Sequence, residues 1–159
     1  MQPGRHNNLE TPAMLTVVAW PDPVIEAHGH KPGSAYVEAT WLGVLGPSTT
    51  LCWQRLSRLA TVRPETAIDT TDLAVSLGLG ESLSRNAPIS RTLGRMVDFG
   101  TAMRSGDILA VRRALPDVPE RMVGRLSYTA RLAHEQWARL APPPTSARQT
   151  TAPSTEIGL

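Results

Sequence analysis

Residues 71–98, TDLAVSLGLGESLSRNAPISRTLGRMVD, predict two short helices separated by a glycine-rich turn. The first helix lies within 71–79 and ends near Gly78, because glycine readily adopts the backbone conformation that closes a helix. The second helix begins at Pro88, since proline suits the first turn of a helix. It continues to about Asp98, where the apolar periodicity stops.

The second helix is predicted to have one buried face. Its large apolar residues recur at intervals of four, three and one, as on a single stripe of a helix: Ile89, Leu93, Met96 and Val97. The polar residues between them are then expected to face outward: Ser90, Arg91, Thr92, Arg95 and Asp98.

A hairpin and a long helix are predicted after these two helices. Residues 101–104 and 108–114 are expected to form two strands around the turn 105–107, Ser-Gly-Asp. Asp117 is expected to cap a final helix, 118–140. Its amphipathic spacing is carried by five residues: Met122, Leu126, Thr129, Ala133 and Trp137.

The first half of the chain predicts a strand and two helices. Residues 14–20 are apolar and can form a short strand or a covering segment. A helix is expected over 34–45, capped by Ser34, and another over 47–61. The side chains expected to face inward from the latter are Leu51, Cys52, Leu56 and Leu59.

The order of elements from residue 47 to 116 resembles the winged helix-turn-helix family of DNA-binding domains. The residues that carry this resemblance are Leu73-Ala74 with Leu77-Gly78-Leu79, then Ile89-Ser90-Arg91-Thr92-Leu93, then Phe99-Gly100 before the hairpin. The resemblance implies a mainly α fold with a small β-hairpin, an N-terminal extension and a long C-terminal helix. One departure is the turn 80–88, which exceeds the three to four residues of the compact motif. The body of the chain also looks like a group of actinobacterial proteins, which implies no function.

The resemblance implies a DNA-binding surface. Helix 88–98 would read the major groove, and hairpin 101–114 would contact the backbone. The residues implied at double-stranded DNA are Arg85, Ser90, Arg91, Arg95, Arg104, Arg112 and Arg113. Because Arg112 and Arg113 are consecutive in a strand, only one of them is expected to reach DNA. We predict a regulator of transcription; the alternative is a winged-helix module that binds protein and no nucleic acid.

The distribution of charge favours an anionic partner for one third of the chain, residues 85–140. The whole sequence carries a net charge of only +2. Residues 85–140 contain ten arginines against five acidic residues, a net +5. Such asymmetry is typical of a surface that meets an anion, although a solvated basic face gives the same count.

Length and composition set the domain organisation. The 159 residues fit one domain, which we place at 14–140. The polar and proline-containing termini, 1–13 and 141–159, are predicted to be disordered.

The longest apolar run, 14–20, is far too short to span a membrane, and no secretory signal is recognised. A cytoplasmic protein without a membrane partner is therefore expected.

Sequence motifs give no support to an enzyme, a metal or a cofactor. His28 and His30 beside Glu26 have the atoms of a metal-ligand set, but loop histidines are more often solvated. Cys52 is the only cysteine, which excludes an intrachain disulfide, and it is expected in the core. No phosphate-binding glycine loop or catalytic carboxylate pair is recognised. We predict a protein that is not an enzyme and that binds no cofactor.

Two apolar faces are candidates for a homodimer interface. One belongs to helix 118–140, with Met122, Leu126 and Trp137. The other belongs to helix 34–45, with Tyr36, Trp41 and Leu45. The alternative is that both faces pack inside one chain.

Overall fold

The structure is a computed structural model, and it describes residues 10–140. The predicted disorder of residues 1–9 and 141–159 lies outside the described residues. The elements are β1 Met14–Trp20, α1 Pro23–His28, a π-helical segment Val37–Trp41, α2 Leu42–Leu45, α3 Pro47–Val62, β2 Glu65–Asp69, α4 Thr70–Ser76, α5 Pro88–Asp98, β3 Ala102–Ser105, β4 Ile108–Arg112, α6 Glu120–Val123 and α7 Tyr128–Leu140. Within residues 10–140, every helix is too short or too polar to cross a membrane.

Strand β1 organises a four-stranded sheet of order β2-β1-β4-β3. It runs antiparallel to β2 and parallel to β4, so it forms backbone hydrogen bonds along both edges. Four side chains of β1 and β4 face the helices and have no exposed surface: Leu15, Val17, Leu109 and Val111. Complete burial of each such side chain stabilises the fold by about 1.5–3 kcal/mol.

The described residues therefore form a mixed α/β fold. Helices predominate, as predicted, and the predicted strand 14–20 and the hairpin are both present. The hairpin supplies only two of the four strands of the sheet. The strand β2, Glu65–Asp69, was not predicted. No residue of β2 is buried, so its sequence carries too weak an apolar signal. Its pairing with β1 makes it a strand.

Residues 10–13 are held against the body, so the prediction of disorder is wrong for these four residues. The Thr11 N–H donates to the Leu83 carbonyl at 3.1 Å. The Thr70 hydroxyl donates to the Pro12 carbonyl at 2.7 Å. Composition alone does not reveal these contacts, because both partners lie far along the chain.

The predicted helix 34–45 contains an unexpected π-helical turn at Val37–Trp41. The Ser34 hydroxyl accepts the Val37 N–H at 3.3 Å, as expected of a cap. The Leu42 N–H bonds to the Val37 carbonyl five residues earlier, which widens the turn by one residue. The wider turn keeps widely spaced side chains on one inner face: Tyr36, Val37, Thr40, Trp41 and Leu45. This face packs inside the chain, so its prediction as a dimer interface is wrong.

Helix α3 is confirmed within one residue of its predicted end, and Cys52 and Leu56 are buried as predicted, whereas Leu59 is only partly buried. The side chains buried from α3 include Cys52, Trp53, Leu56 and Ala60. Leu51 was predicted to face inward, which is wrong, since it is 55% exposed. The Trp53 indole N–H donates to the Arg112 carbonyl at 3.0 Å. Residues two apart lie on nearly opposite sides of a helix, so seating the Trp53 ring turns Leu51 outward.

The predicted final helix 118–140 is two helices, α6 and α7, which corrects the prediction of one long helix. The break covers residues 124–127, and the Ser127 hydroxyl accepts the Ala130 N–H at 3.1 Å, beginning α7. Asp117 was expected to cap this helix. Instead its carboxylate bonds to His30 Nε2 at 2.6 Å. A long-range partner therefore outcompetes the local cap.

Tyr36 joins α7 to the rest of the molecule. Its hydroxyl oxygen accepts the Val118 N–H at 2.9 Å and lies 2.8 Å from His134 Nδ1. Since the Tyr36 oxygen accepts the Val118 N–H, the Tyr36 hydroxyl can donate its proton to His134 Nδ1. The His30 ring stacks on the Tyr36 ring at 3.8 Å between centroids, and Trp137 meets the His30 ring edge-on at 4.8 Å.

Replacing Tyr36 should therefore destabilise the fold. We expect Tyr36→Phe to lower the free energy of unfolding by about 1–3 kcal/mol, because the buried Val118 N–H loses its acceptor. Tyr128→Phe is the matched control, since Tyr128 is 76% exposed, and it should change stability by less than about 0.5 kcal/mol. Urea denaturation measures both. Equal stabilities for the two variants would contradict the assigned hydrogen bond.

Burial should make Cys52 unreactive. Desolvation raises the pKa of the Cys52 thiol to about 12, against a smaller opposing effect of Arg55. Since the thiolate is the reactive form, we expect no reaction with a disulfide reagent at neutral pH until the chain is unfolded in urea. Cys52→Ser provides the blank. Rapid labelling of the folded protein would show that the thiol is accessible.

Candidate nucleic-acid interface

Helix α4 and the turn after it position the front of α5. The Asp69 carboxylate caps α4 by accepting the Asp72 N–H at 2.8 Å. Gly78 ends the helix with a φ of +73°, a conformation that favours glycine. The prediction of a short helix ended by glycine is confirmed.

The long turn between α4 and α5 is ordered by serine hydroxyls and by the N-terminal segment. The Ser90 hydroxyl donates to the Ser84 carbonyl at 2.7 Å and lies 2.6 Å from the Thr11 hydroxyl. Ser90 and Thr92 are buried, so the prediction that they face outward is wrong. Ser90 holds the turn and has no exposed hydroxyl to offer a base or a phosphate.

Helix α5, Pro88–Asp98, has the predicted bounds and the predicted buried stripe, with Val97 only partly buried. Its exposed residues recur at intervals of three and four and so share one face: Pro88, Arg91, Arg95 and Asp98. Arg85 and Asn86 are exposed immediately before this helix. The sequence places Asn86 or Ala87 near the cap of this helix, and in the structure Ala87 is the cap residue.

Arg91 and Arg85 are the two candidate arginines without an internal partner. Within residues 10–140, neither guanidinium has a hydrogen bond or an ion pair. Arg85 lies in the turn and Arg91 on the first turns of α5, so both reach solvent beside the start of that helix. This end of a helix also carries a partial positive charge of about half a unit.

Arg95 shares the exposed face of α5 but points back into the molecule. Its Nε donates to the Leu45 carbonyl at 3.0 Å, and its Nη2 donates to the Val44 carbonyl at 2.9 Å. The guanidinium carbon lies 5.2 Å from the centre of the Phe99 ring. Arg95 therefore satisfies the carbonyls that end α2 and ties that helix to α5.

The three arginines of the hairpin region also have internal partners. Arg104 donates to the carbonyls of Gly106 at 3.1 Å and Glu10 at 3.2 Å. Arg113 Nε donates to a Glu26 carboxylate oxygen at 2.5 Å. Arg113 lies beyond the end of β4, and both Arg112 and Arg113 bond to the segment that contains α1.

Arg112 makes the most elaborate of these contacts. It donates to the Asp22 carboxylate at 2.9 Å and to the Gly100 carbonyl at 2.8 Å. Its guanidinium carbon lies 3.7 Å from the centre of the Trp20 ring. The pKa of Asp22 is lowered, mainly by the hydrogen bond from the Ile25 N–H and further by Arg112. The sequence could not reveal these pairs, because Asp22 lies 90 residues from Arg112.

His28 and His30, the two candidate metal ligands, have different surroundings. His30 is buried and bonded to Asp117, whereas His28 is exposed at the end of α1. In the part of the chain that the structure describes, no three histidine, cysteine or carboxylate side chains converge as a possible metal site.

The two arginines of α5 should differ in their effect on stability. We expect Arg95→Ala to lower the free energy of unfolding by about 1 kcal/mol, because two carbonyls at the end of α2 lose their donor. Arg91→Ala, at an exposed and unpaired position on the same helix, is the matched control and should leave the melting temperature nearly unchanged. Thermal unfolding followed by circular dichroism measures both. If the two variants melt together, the Arg95 contacts contribute no net stability.

The structure thus presents Arg85, Asn86 and Arg91 at the start of α5, while the other candidate residues are held by internal contacts. Comparisons with protein-family models, with curated proteins and with solved structures found no match to this chain.

Proposed function

We propose that residues 47–112 are a winged-helix domain through which the protein binds double-stranded DNA as a regulator of transcription. The order of α3, β2, α4, α5 and the β3–β4 hairpin supports this proposal. Strand β1 is an addition to that arrangement, inserted between β2 and the hairpin. It lies in the sheet and leaves the front of α5 exposed.

The exposed start of α5 is the observation that carries the proposal. A helix with side chains is about 10–12 Å across and fits the DNA major groove, which is about 12 Å wide. The Arg91 side chain projects from this face, and its guanidinium carries five N–H donors. It has no internal partner in the described residues. An arginine can donate two hydrogen bonds to the O6 and N7 atoms of guanine, so Arg91 is the proposed base-reading residue.

Arg85 and Asn86 are the proposed flanking contacts. Both are exposed in the turn immediately before α5. A guanidinium there suits a phosphate oxygen, which positions the protein without reading sequence. The Asn86 amide can pair with the N6 and N7 atoms of adenine or with phosphate. The hairpin contributes less than the sequence implied, because Arg104, Arg112 and Arg113 serve the fold.

A protein-interaction module remains the second candidate function, and one observation favours it. Four of the six arginines proposed for DNA have internal partners, and the partners of Arg112 and Arg113 are carboxylates that neutralise their charge. Helix α7 meanwhile exposes four large side chains that a protein partner or a second copy could cover: Tyr128, Leu132, Trp137 and Leu140. The homodimer proposed for this protein now rests on α7 alone.

Fluorescence anisotropy with labelled genomic duplex fragments tests DNA binding. We expect binding that weakens steeply with salt, and we expect Arg85→Ala plus Arg91→Ala to reduce affinity about 10-fold or more. If both arginines meet phosphates or bases, the slope of log affinity against log salt should fall by about two. Selection of bound fragments then identifies the site.

Arg63→Ala plus Arg139→Ala is the matched control, since it removes the same charge from exposed positions outside this face. It should bind nearly as tightly as the parent chain. Equal losses in the two double variants would contradict a specific role for α5. No salt-sensitive binding to any fragment would exclude DNA and leave the protein-interaction function.

A further inference from the structure

A concave surface lies away from the exposed face of α5. It is a cleft of about 670 Å³ between α1, residues 31 and 32, the end of α3 and the residues that follow β4. Its lining residues are Glu26, Lys31, Pro32, Arg58, Thr61, Val62, Arg113 and Ala114. Its volume lies within the range of about 300–1,000 Å³ that is typical of small-molecule sites.

The cleft is cationic with apolar walls. Lys31, Arg58 and Arg113 line it against a single carboxylate, Glu26, so the formal charge of the lining is +2. Glu26 is bonded to Arg113 at 2.5 Å. Within residues 10–140, neither the Lys31 ammonium nor the Arg58 guanidinium has a carboxylate or hydrogen-bond partner. Two unneutralised cations therefore line the same concavity.

Gly33 allows Arg58 to lie at this position. A Cβ added to Gly33 would stand 2.9 Å from Arg58 Nη2, and Gly33 has a φ of +80°, which favours glycine. The guanidinium thus lies against the backbone of the turn that carries Lys31. Lys31 and Arg58 therefore line the same cleft, although they come from different elements.

The end of α3 is the feature that opposes an anion here. Thr61 and Val62 belong to the last turn of that helix, whose carbonyl end carries about half a negative charge. The formal +2 of the lining side chains exceeds this half charge. The net field in the cleft therefore favours an anion.

We propose that this cleft binds a small organic anion, a carboxylate or a phosphate monoester with an apolar body. Arg58 offers two parallel donors to the anionic oxygens, and Lys31 adds a third positive donor. Pro32, Val62 and Ala114 pack against the apolar part of the ligand. The site shares no residue with the proposed DNA contacts, so it does not depend on that function.

NMR titration of the isotopically labelled chain tests the proposal with benzoate and phenyl phosphate as probes. We expect shifts at the backbone amides of Lys31, Gly33 and Ala114, with a Kd of about 1 mM or below for the better probe. Lys31→Gln plus Arg58→Gln should weaken that probe at least about 10-fold. Both side chains are exposed, and circular dichroism verifies that the variant is folded.

Benzyl alcohol and the variant Arg63→Gln plus Arg139→Gln are the controls. The alcohol has the apolar body without the charge and should shift the same amides far less. The control variant loses the same charge elsewhere and should bind both anions as the parent does. Equal shifts with the alcohol, undiminished binding to the Lys31/Arg58 variant, or no shift at about 10 mM probe would each overturn the proposal.

Discussion

The fold depends on the insertion of β1 between β2 and β4, because this strand satisfies the backbone of both neighbours at once. Without β1, β2 would lose its described pairing partner, and the hairpin would be left as an isolated two-stranded sheet, which is marginally stable at best. Leu15 and Val17 bring the helices onto the sheet from the same strand. The first described strand of the chain therefore holds together elements that lie up to about ninety residues away.

Several arginines of this protein stabilise the fold through internal hydrogen bonds and ion pairs. Arg95 closes the end of α2, and Arg112 and Arg113 tie the end of β4 to Asp22 and Glu26 in the α1 region. An arginine has five donors in a fixed fork, so it can satisfy carbonyls and a carboxylate that no neighbouring backbone reaches. The cost is a smaller free positive surface. Arg85 and Arg91 remain beside α5, and Lys31 and Arg58 remain in the cleft.

Local patterns predicted α5 correctly, including both its ends. Pro88 begins it, its apolar stripe is buried except for the partly buried Val97, and Gly100 follows its end with a φ of +72°. The same reasoning failed for the polar residues of this helix. Ser90 and Thr92 have short side chains and are both buried. The Ser90 hydroxyl is satisfied internally by the turn and by Thr11. Helical periodicity identifies the apolar face of a helix. It does not show how many of the polar residues beside that face are also buried by the rest of the chain.

The sequence by itself determined the positions of the hairpin and of α3 and α5, because proline, glycine and apolar spacing act over a few residues. Only the tertiary structure decided the strand β2, the partner of Asp117 and the destinations of the arginines. Each of these depends on a partner distant in sequence: β1 for β2, His30 for Asp117, and Asp22 for Arg112. Backbone hydrogen bonding and charge pairing act through space, so the residues that remain free for a ligand are known only when the chain is folded.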